Sequence, residues 1–151
     1  MKDYKAIFFD FDDTLCVRIR RKGNPKFYQE MFNKNKEYYL NEDVFRVSVG
    51  SQRMIQSVHN CKIFCLTRGD SNIVYTSKKA FLDTHYPDKF DDLFIVGTLE
   101  GKIELMTEYA KAFNIPQDKI LLIDDHPDVR LLAYNAGFGI MSATEMAVLF
   151  N

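Results

Sequence analysis

The sequence predicts an α/β fold: a three-layer sandwich with a mostly parallel central sheet and a small insertion after the first strand. Three observations predict it. Short apolar runs are each followed by a turn signal and then by a segment of helical period, the pattern of strands alternating with helices. The runs are continuously apolar rather than alternating, as parallel strands covered on both faces must be. The 151 residues, 46% hydrophobic and 27% charged, fit one domain of ordinary globular composition. On that basis one globular domain is expected rather than a disordered chain, a fibrous repeat or a two-domain enzyme.

The first strand is Ala6 to Phe9, closed by Asp10. This run is too short for a signal-peptide core, and a spanning helix needs about 20 apolar residues, so a cytoplasmic protein without a membrane partner is expected. From Cys16 to Gly50 no parallel-strand run appears, and Gly23, Asn24 and Pro25 break any regular element. Residues 16–50 are therefore expected to form a lid or flap inserted within a single domain over residues 1–151. Tyr28, Met31, Phe32, Asn35 and Tyr39 repeat at helical spacing after Pro25, which predicts a helix from Lys26 to Leu40. Ile63 to Leu66, Leu93 to Val96 and Ile120 to Ile123 supply three further strands. Between and after them, Asn72 to His85, Gly101 to Phe113 and Asp128 to Ala136 read as helices. In the second of these, Ile103, Met106, Ala110 and Phe113 fall three and four apart, and Asn114 and Pro116 stop it. Cys16, Cys61 and Cys65 are odd in number and lack a second pair of ligands at zinc-finger spacing, so buried thiols are expected.

In an open α/β sheet, function is expected just beyond the carboxyl ends of the strands. The first run is followed there by Asp10-Phe11-Asp12-Asp13-Thr14, the second by Thr67-Arg68-Gly69-Asp70, and the last by Asp124-Asp125-His126-Pro127-Asp128. One Asp after a strand is commonly a helix cap or turn former, and Asp70 and Asp128 can be read that way. Five carboxylates at Asp10, Asp12, Asp13, Asp124 and Asp125 cannot all be caps. Each raises the cost of ionising the others unless a cation neutralises them, and hard oxygen ligands with few histidines point to Mg2+.

At these residues the chain resembles the haloacid dehalogenase (HAD) superfamily. That family's first motif is an apolar strand followed by Asp-x-Asp-x-Thr, here Ile7 to Leu15. Its second is a Thr or Ser ending the next strand, here Thr67. Its third is a Lys opening a later helix, which Lys102 matches better than Lys78 or Lys79, and its fourth is an acidic pair or Asp-x-x-x-Asp, here Asp124 to Asp128. The resemblance implies a Rossmann-like core and hydrolysis of a phosphorylated substrate through an aspartyl-phosphate. It implies Asp10 as nucleophile, Asp12 as general acid and base, and Thr67 and Lys102 as holders of the phosphoryl oxygens. Mg2+ would lie between Asp10, the main-chain carbonyl of Asp12 and Asp124, with Asp125 or Asp128 direct or through water. Asp13 and Arg68 stand where the family commonly has Gly and Asn, and both are candidate substrate contacts. Dehalogenase members lack the acid at the Asp12 position and P-type ATPases carry Thr there, so a phosphatase is implied. A receiver-like signalling domain also uses Asp, Thr, Lys and Mg2+, but its acidic pair follows the first strand, the reverse of the order here. A non-catalytic regulatory domain would need a lost catalytic residue, and none is lost.

The net charge is −1, from 20 basic and 21 acidic residues, so no global field commits the chain to nucleic acid. Any such partner must meet a local patch. Arg18, Arg20, Arg21, Lys22 and Lys26 lie close together with no acid among them, and could contact a nucleic-acid or nucleotide phosphate or form a solvated basic hairpin. The stretch from Thr67 to Lys102 is filled by one helix and one strand, leaving no room for a cap there. The insertion after the first strand is too short for a helical cap domain, so a site that is open or under one small lid is expected, which suits either a bulky substrate or a protomer partner closing the site.

Overall fold

A computed structural model of the protein describes residues 3–19 and 36–151. Strand β1 (Ala6–Phe9) is buried along its whole length, because its uninterrupted apolar run can only sit between two covering layers. Around it lie β4 (Lys62–Arg68), β5 (Asp92–Val96), β6 (Ile120–Ile123) and β7 (Gly139–Met141), in the order β5-β4-β1-β6-β7. Every pairing within this sheet is parallel. The three runs at Ala6, Ile63 and Ile120 are thus its central strands, and β7 is a short edge strand that the sequence did not announce.

Because side chains alternate across a strand, β1 divides its residues between two cores. Ile7 and Phe9 join Met54, Phe81 and Met146 on one face. Ala6 and Phe8 join Met106, Ala110, Val129 and Ala133 on the other. The first layer carries helices α1 (Val49–Ser57), α2 (Asn72–His85) and α5 (Ala143–Leu149), and the second carries α3 (Leu99–Ala112) and α4 (Pro127–Asn135). The expected three layers are present. Phe8 anchors the second core, with its ring 5.0 Å from Phe64 and 5.5 Å, edge on, from Tyr109. Burying one such Phe side chain contributes about 1.5–3 kcal/mol.

Hydroxyl caps set where the helices begin. Ser48, Ser71, Thr98 and Ser142 each accept a backbone N–H of the first turn, and Glu145 completes a capping box with Ser142. Ser71, rather than Asp70, therefore caps α2. Helix α3 starts at Leu99, two residues before the expected Gly101, since Thr98 supplies the cap.

The insertion after β1 contains β2 (Cys16–Arg18) and β3 (Phe45–Val47), an antiparallel pair forming a separate two-stranded sheet. Short strands without a long apolar run leave little periodic signal, which is why the sequence reads as irregular there. The helix expected over Lys26 to Leu40 falls largely outside the described residues; its described end is a single 3-10 turn, Tyr38–Leu40. Cys16, Cys61 and Cys65 are free thiols, with Cys16 and Cys65 buried. No helix among the described residues is long and apolar enough to cross a membrane.

Candidate active site

Chain order and strand order together create one special point. From β1 the sheet grows through β4 on one side and β6 on the other, so the crevice beyond the carboxyl end of β1 is the topological switch point, where open α/β sheets bind ligands. The register sets Phe9 against both Cys65 and Ile123. Residues following β1 therefore emerge beside the end of β4 and the residues following β6. Asp10, Asp12, Thr67, Arg68, Asp124 and Asp125 all line one cleft of about 530 Å³ there.

Lys102 ties the floor of this cleft together. It lies at the end of the first turn of α3, and its Nζ donates to Asp10 Oδ1 and to Asp124 Oδ2, each at 2.8 Å. Lys102 and Asp124 are almost completely buried and Asp10 is only 6% exposed, so these charges interact with little solvent screening. Burial disfavours the Lys102 ammonium, yet the Asp10 and Asp124 carboxylates outweigh it and raise its pKa. Asp10 is pushed well above the usual carboxylate range, first by burial and then by Asp124 and Asp125, with Lys102 opposing. Asp125, although exposed, is raised as well, chiefly by partial desolvation of its carboxyl and then by Asp124 and Asp13.

Three carboxylates thus face one ammonium. Oxygen atoms of Asp10, Asp124 and Asp125 lie within 4.8 Å of one another, a spacing that suits a hard divalent cation and fits Mg2+ through its oxygen-only donor set. Asp124 is the best anchored: its Oδ1 accepts from the His126 N–H at 2.9 Å, and Arg130 donates to its carbonyl at 2.8 Å. Asp128 does not join the group. It is exposed in the first turn of α4, where its N–H donates to His126 Nδ1 at 3.2 Å, making His126 the helix cap.

Asp13 has φ 61°, the left-handed region that Gly favours and Asp tolerates. This explains why the position takes Gly in the pattern the sequence resembles. Its N–H donates to the Cys16 carbonyl at 2.8 Å, so that donor is already engaged rather than free for a phosphate. Arg68, exposed, is at the cleft, while of the basic run only Arg18 is described, with its guanidinium 5.7 Å from the centre of the Phe45 ring. Arg20, Arg21, Lys22 and Lys26 lie outside the described residues. The Cys16 thiol is pushed far up by burial and by Asp12 and Asp13, which suits packing rather than nucleophilic chemistry.

One cleft residue stands behind Lys102 as a match to the third motif, yet the structure brings it into the cleft as well. Lys78, from the second turn of α2, is 2% exposed and donates to Thr67 Oγ1 at 2.6 Å, Asp12 Oδ2 at 3.0 Å and the Arg68 carbonyl at 3.3 Å. A signal was available. Val74, Ser77, Lys78, Phe81 and Leu82 fall on the buried face of α2, and a Lys at a core position of an amphipathic helix needs a buried partner.

No protein-family model matches the chain, and no curated protein matches it. Solved structures do. A HAD family enzyme from Bacteroides thetaiotaomicron, in complex with magnesium and inorganic phosphate, superposes with a TM-score of 0.62 at 11% identity, covering 92% of this chain and 93% of that one. This chain has the HAD fold. A haloacid dehalogenase-like family hydrolase from Xanthomonas campestris shares the HAD fold with a TM-score of 0.61 at 10% identity, covering 91% of this chain and 80% of that one. A predicted HAD-like family hydrolase from Porphyromonas gingivalis gives 0.58 at 16% identity, over 93% and 91%. At such identities the HAD fold is what the likeness shows.

Proposed function

We propose that the protein is a Mg2+-dependent phosphatase that hydrolyses a phosphomonoester through an aspartyl-phosphate on Asp10. The observation that carries this reading is the buried Asp10–Lys102–Asp124 bridge at the switch point, with Asp125 beside it. A HAD-fold enzyme crystallised with magnesium and inorganic phosphate supports the same chemistry.

Asp10 acts as the nucleophile in this reading: its carboxylate attacks phosphorus, the P–O bond to the leaving group breaks, and one hard displacement becomes two easier ones. Asp12, whose side chain is half exposed at the mouth of the cleft, protonates the leaving oxygen and then takes a proton from the water that cleaves the intermediate. Thr67 and Lys102 hold the phosphoryl oxygens, and in phosphoryl transfer such positioning and charge stabilisation dominate catalysis. Asp10, Asp124 and Asp125 would hold Mg2+, with Asp12 contributing its carbonyl. When bound, the ion neutralises phosphoryl charge and keeps Asp10 ionised. The β2–β3 pair, within the 16–50 insertion, acts as a small flap over a single catalytic domain.

An aryl phosphate should be hydrolysed in the presence of Mg2+, and EDTA should stop the reaction. Asp10→Asn should lower kcat by at least about a thousandfold; full activity in this variant would refute the mechanism. Sugar phosphates, nucleotides, phosphopeptides and oligonucleotides with terminal phosphates, compared at two salt concentrations, then assign the substrate class.

A further inference from the structure

The cleft holds two buried lysines, and the chemistry above uses one. Lys78 is as buried as Lys102, comes from the opposite layer, and reaches the cleft through an aromatic collar: its Nζ is 5.0 Å from the centre of the Phe11 ring and 5.9 Å from that of Tyr39. Such a cation over ring faces is held by the quadrupoles as well as by its hydrogen bonds. An ammonium has three hydrogens and no lone pair. All three of those on Lys78 have acceptors, at Thr67 Oγ1, Asp12 Oδ2 and the Arg68 carbonyl. Lys78 therefore has no donor to spare for a phosphoryl group unless it gives one up.

The consequence falls on Thr67. A hydroxyl can accept or donate, and its one hydrogen goes wherever an acceptor is offered. Lys78 can only donate, so at 2.6 Å it commits Thr67 Oγ1 to accepting from that side. The Thr67 hydrogen is then left for another acceptor. None is found among the described residues, although the side chain is 1% exposed and lines the cleft. A buried hydroxyl with a committed lone pair and an unclaimed hydrogen is a one-way donor.

Resting on the phosphatase reading, we infer that Lys78 is a positioning residue: it turns the Thr67 hydroxyl into a fixed hydrogen-bond donor for a phosphoryl oxygen and tethers the Asp12 carboxylate beside it. The phosphoryl group gains an oriented donor whose ordering is complete before substrate arrives, the condition under which electrostatic stabilisation is most effective. The Lys78 side chain itself stays off the substrate.

The test is a double-mutant cycle read by competitive inhibition with inorganic phosphate, alongside KM and kcat for an aryl phosphate. Lys78→Met should raise the phosphate Ki by roughly 10- to 100-fold, the range for losing a hydrogen bond involving a charged group. Thr67→Val should do the same and Thr67→Ser should not. The double variant should bind phosphate no more weakly than Thr67→Val alone, because Lys78 acts through the hydroxyl, and Lys78→Arg should restore part of the loss. Independent, multiplying effects, or an unchanged Ki in a cooperatively melting Lys78→Met, would overturn the inference while leaving the phosphatase reading intact. Should Lys78→Met not fold, the Thr67 pair decides: Thr67→Val with wild-type Ki overturns it. A wild-type protein that neither turns over the aryl phosphate nor binds phosphate refutes the underlying reading instead.

Discussion

The two sides of the cleft solve opposite charge problems. Around Lys102, the carboxylates of Asp10, Asp124 and Asp125 outnumber the single ammonium, and two of the three are buried. Around Lys78, one ammonium meets one carboxylate, Asp12, and its other contacts are a hydroxyl and a carbonyl. The first side is electrostatically incomplete and the second is complete. On the phosphatase reading, the difference would put the cation on the β6 side of the cleft and leave the β4 side preorganised by protein groups alone. Substitutions should therefore respond to Mg2+ on one side and be indifferent to it on the other.

The largest expected effect is at Lys102. Lys102→Met leaves Asp10 and Asp124 buried without their counter-ion, and breaking a buried pair this way costs about 3–5 kcal/mol. Thermal unfolding without Mg2+ should show a fall of many degrees, and saturating Mg2+ should recover much of it because the ion replaces the missing charge. A Lys102→Met protein that melts like wild type in EDTA would remove the contrast between the two sides.

A smaller effect is expected with pH. Asp10 and Asp125 are raised above their ordinary value of 3.8, so above that pH the metal-free folded chain retains protons that the unfolded chain has lost. Their contribution to stability is full below about pH 4 and is lost as pH rises through their raised range. Lys102, raised above 10.5, keeps its contribution throughout that interval. Mg2+ would bind the ionised carboxylates, so its stabilisation should increase with pH. Melting curves with and without Mg2+ at pH 5 and pH 8 should show the larger shift at pH 8. An equal or larger shift at pH 5 would mean that burial does not protonate this side.

Much of the Lys102 side was legible in the sequence, for a physical reason. Its residues follow apolar runs that can only be buried parallel strands, so position along the chain maps directly onto position at the sheet edge. Ala6–Phe9 and Ile120–Ile123 have the predicted bounds, and Asp10 and Asp124 follow from them. The Lys78 side depends instead on which face a helix turns inward and on how near that face comes to a strand end. Asn72–His85 has its predicted bounds, yet the reach of Lys78 to Thr67 and Asp12 is a tertiary fact. Its trace in the sequence is one Lys among apolar neighbours. The β2–β3 pair was illegible for a different reason: three-residue strands are too short to show a period.

The smallest effect expected is at Asp128, and it separates two residues that the sequence treats alike. Asp125 contributes to the three-carboxylate group, so Asp125→Ala should raise the Mg2+ concentration needed for half-maximal activity by about 10- to 100-fold, the scale of losing one supporting group at a metal site. Asp128→Ala should change it by less than about twofold. Asp128 is solvated and sits in the first turn of α4, where a carboxylate mainly complements the helix dipole for about 0.3–1 kcal/mol. Its loss should therefore appear as a small drop in melting temperature with no change in metal dependence. Equal Mg2+ shifts in the two variants would move the ion from the floor of the cleft toward the N-terminus of α4, and would make the charge deficit around Lys102 a structural feature rather than a metal site.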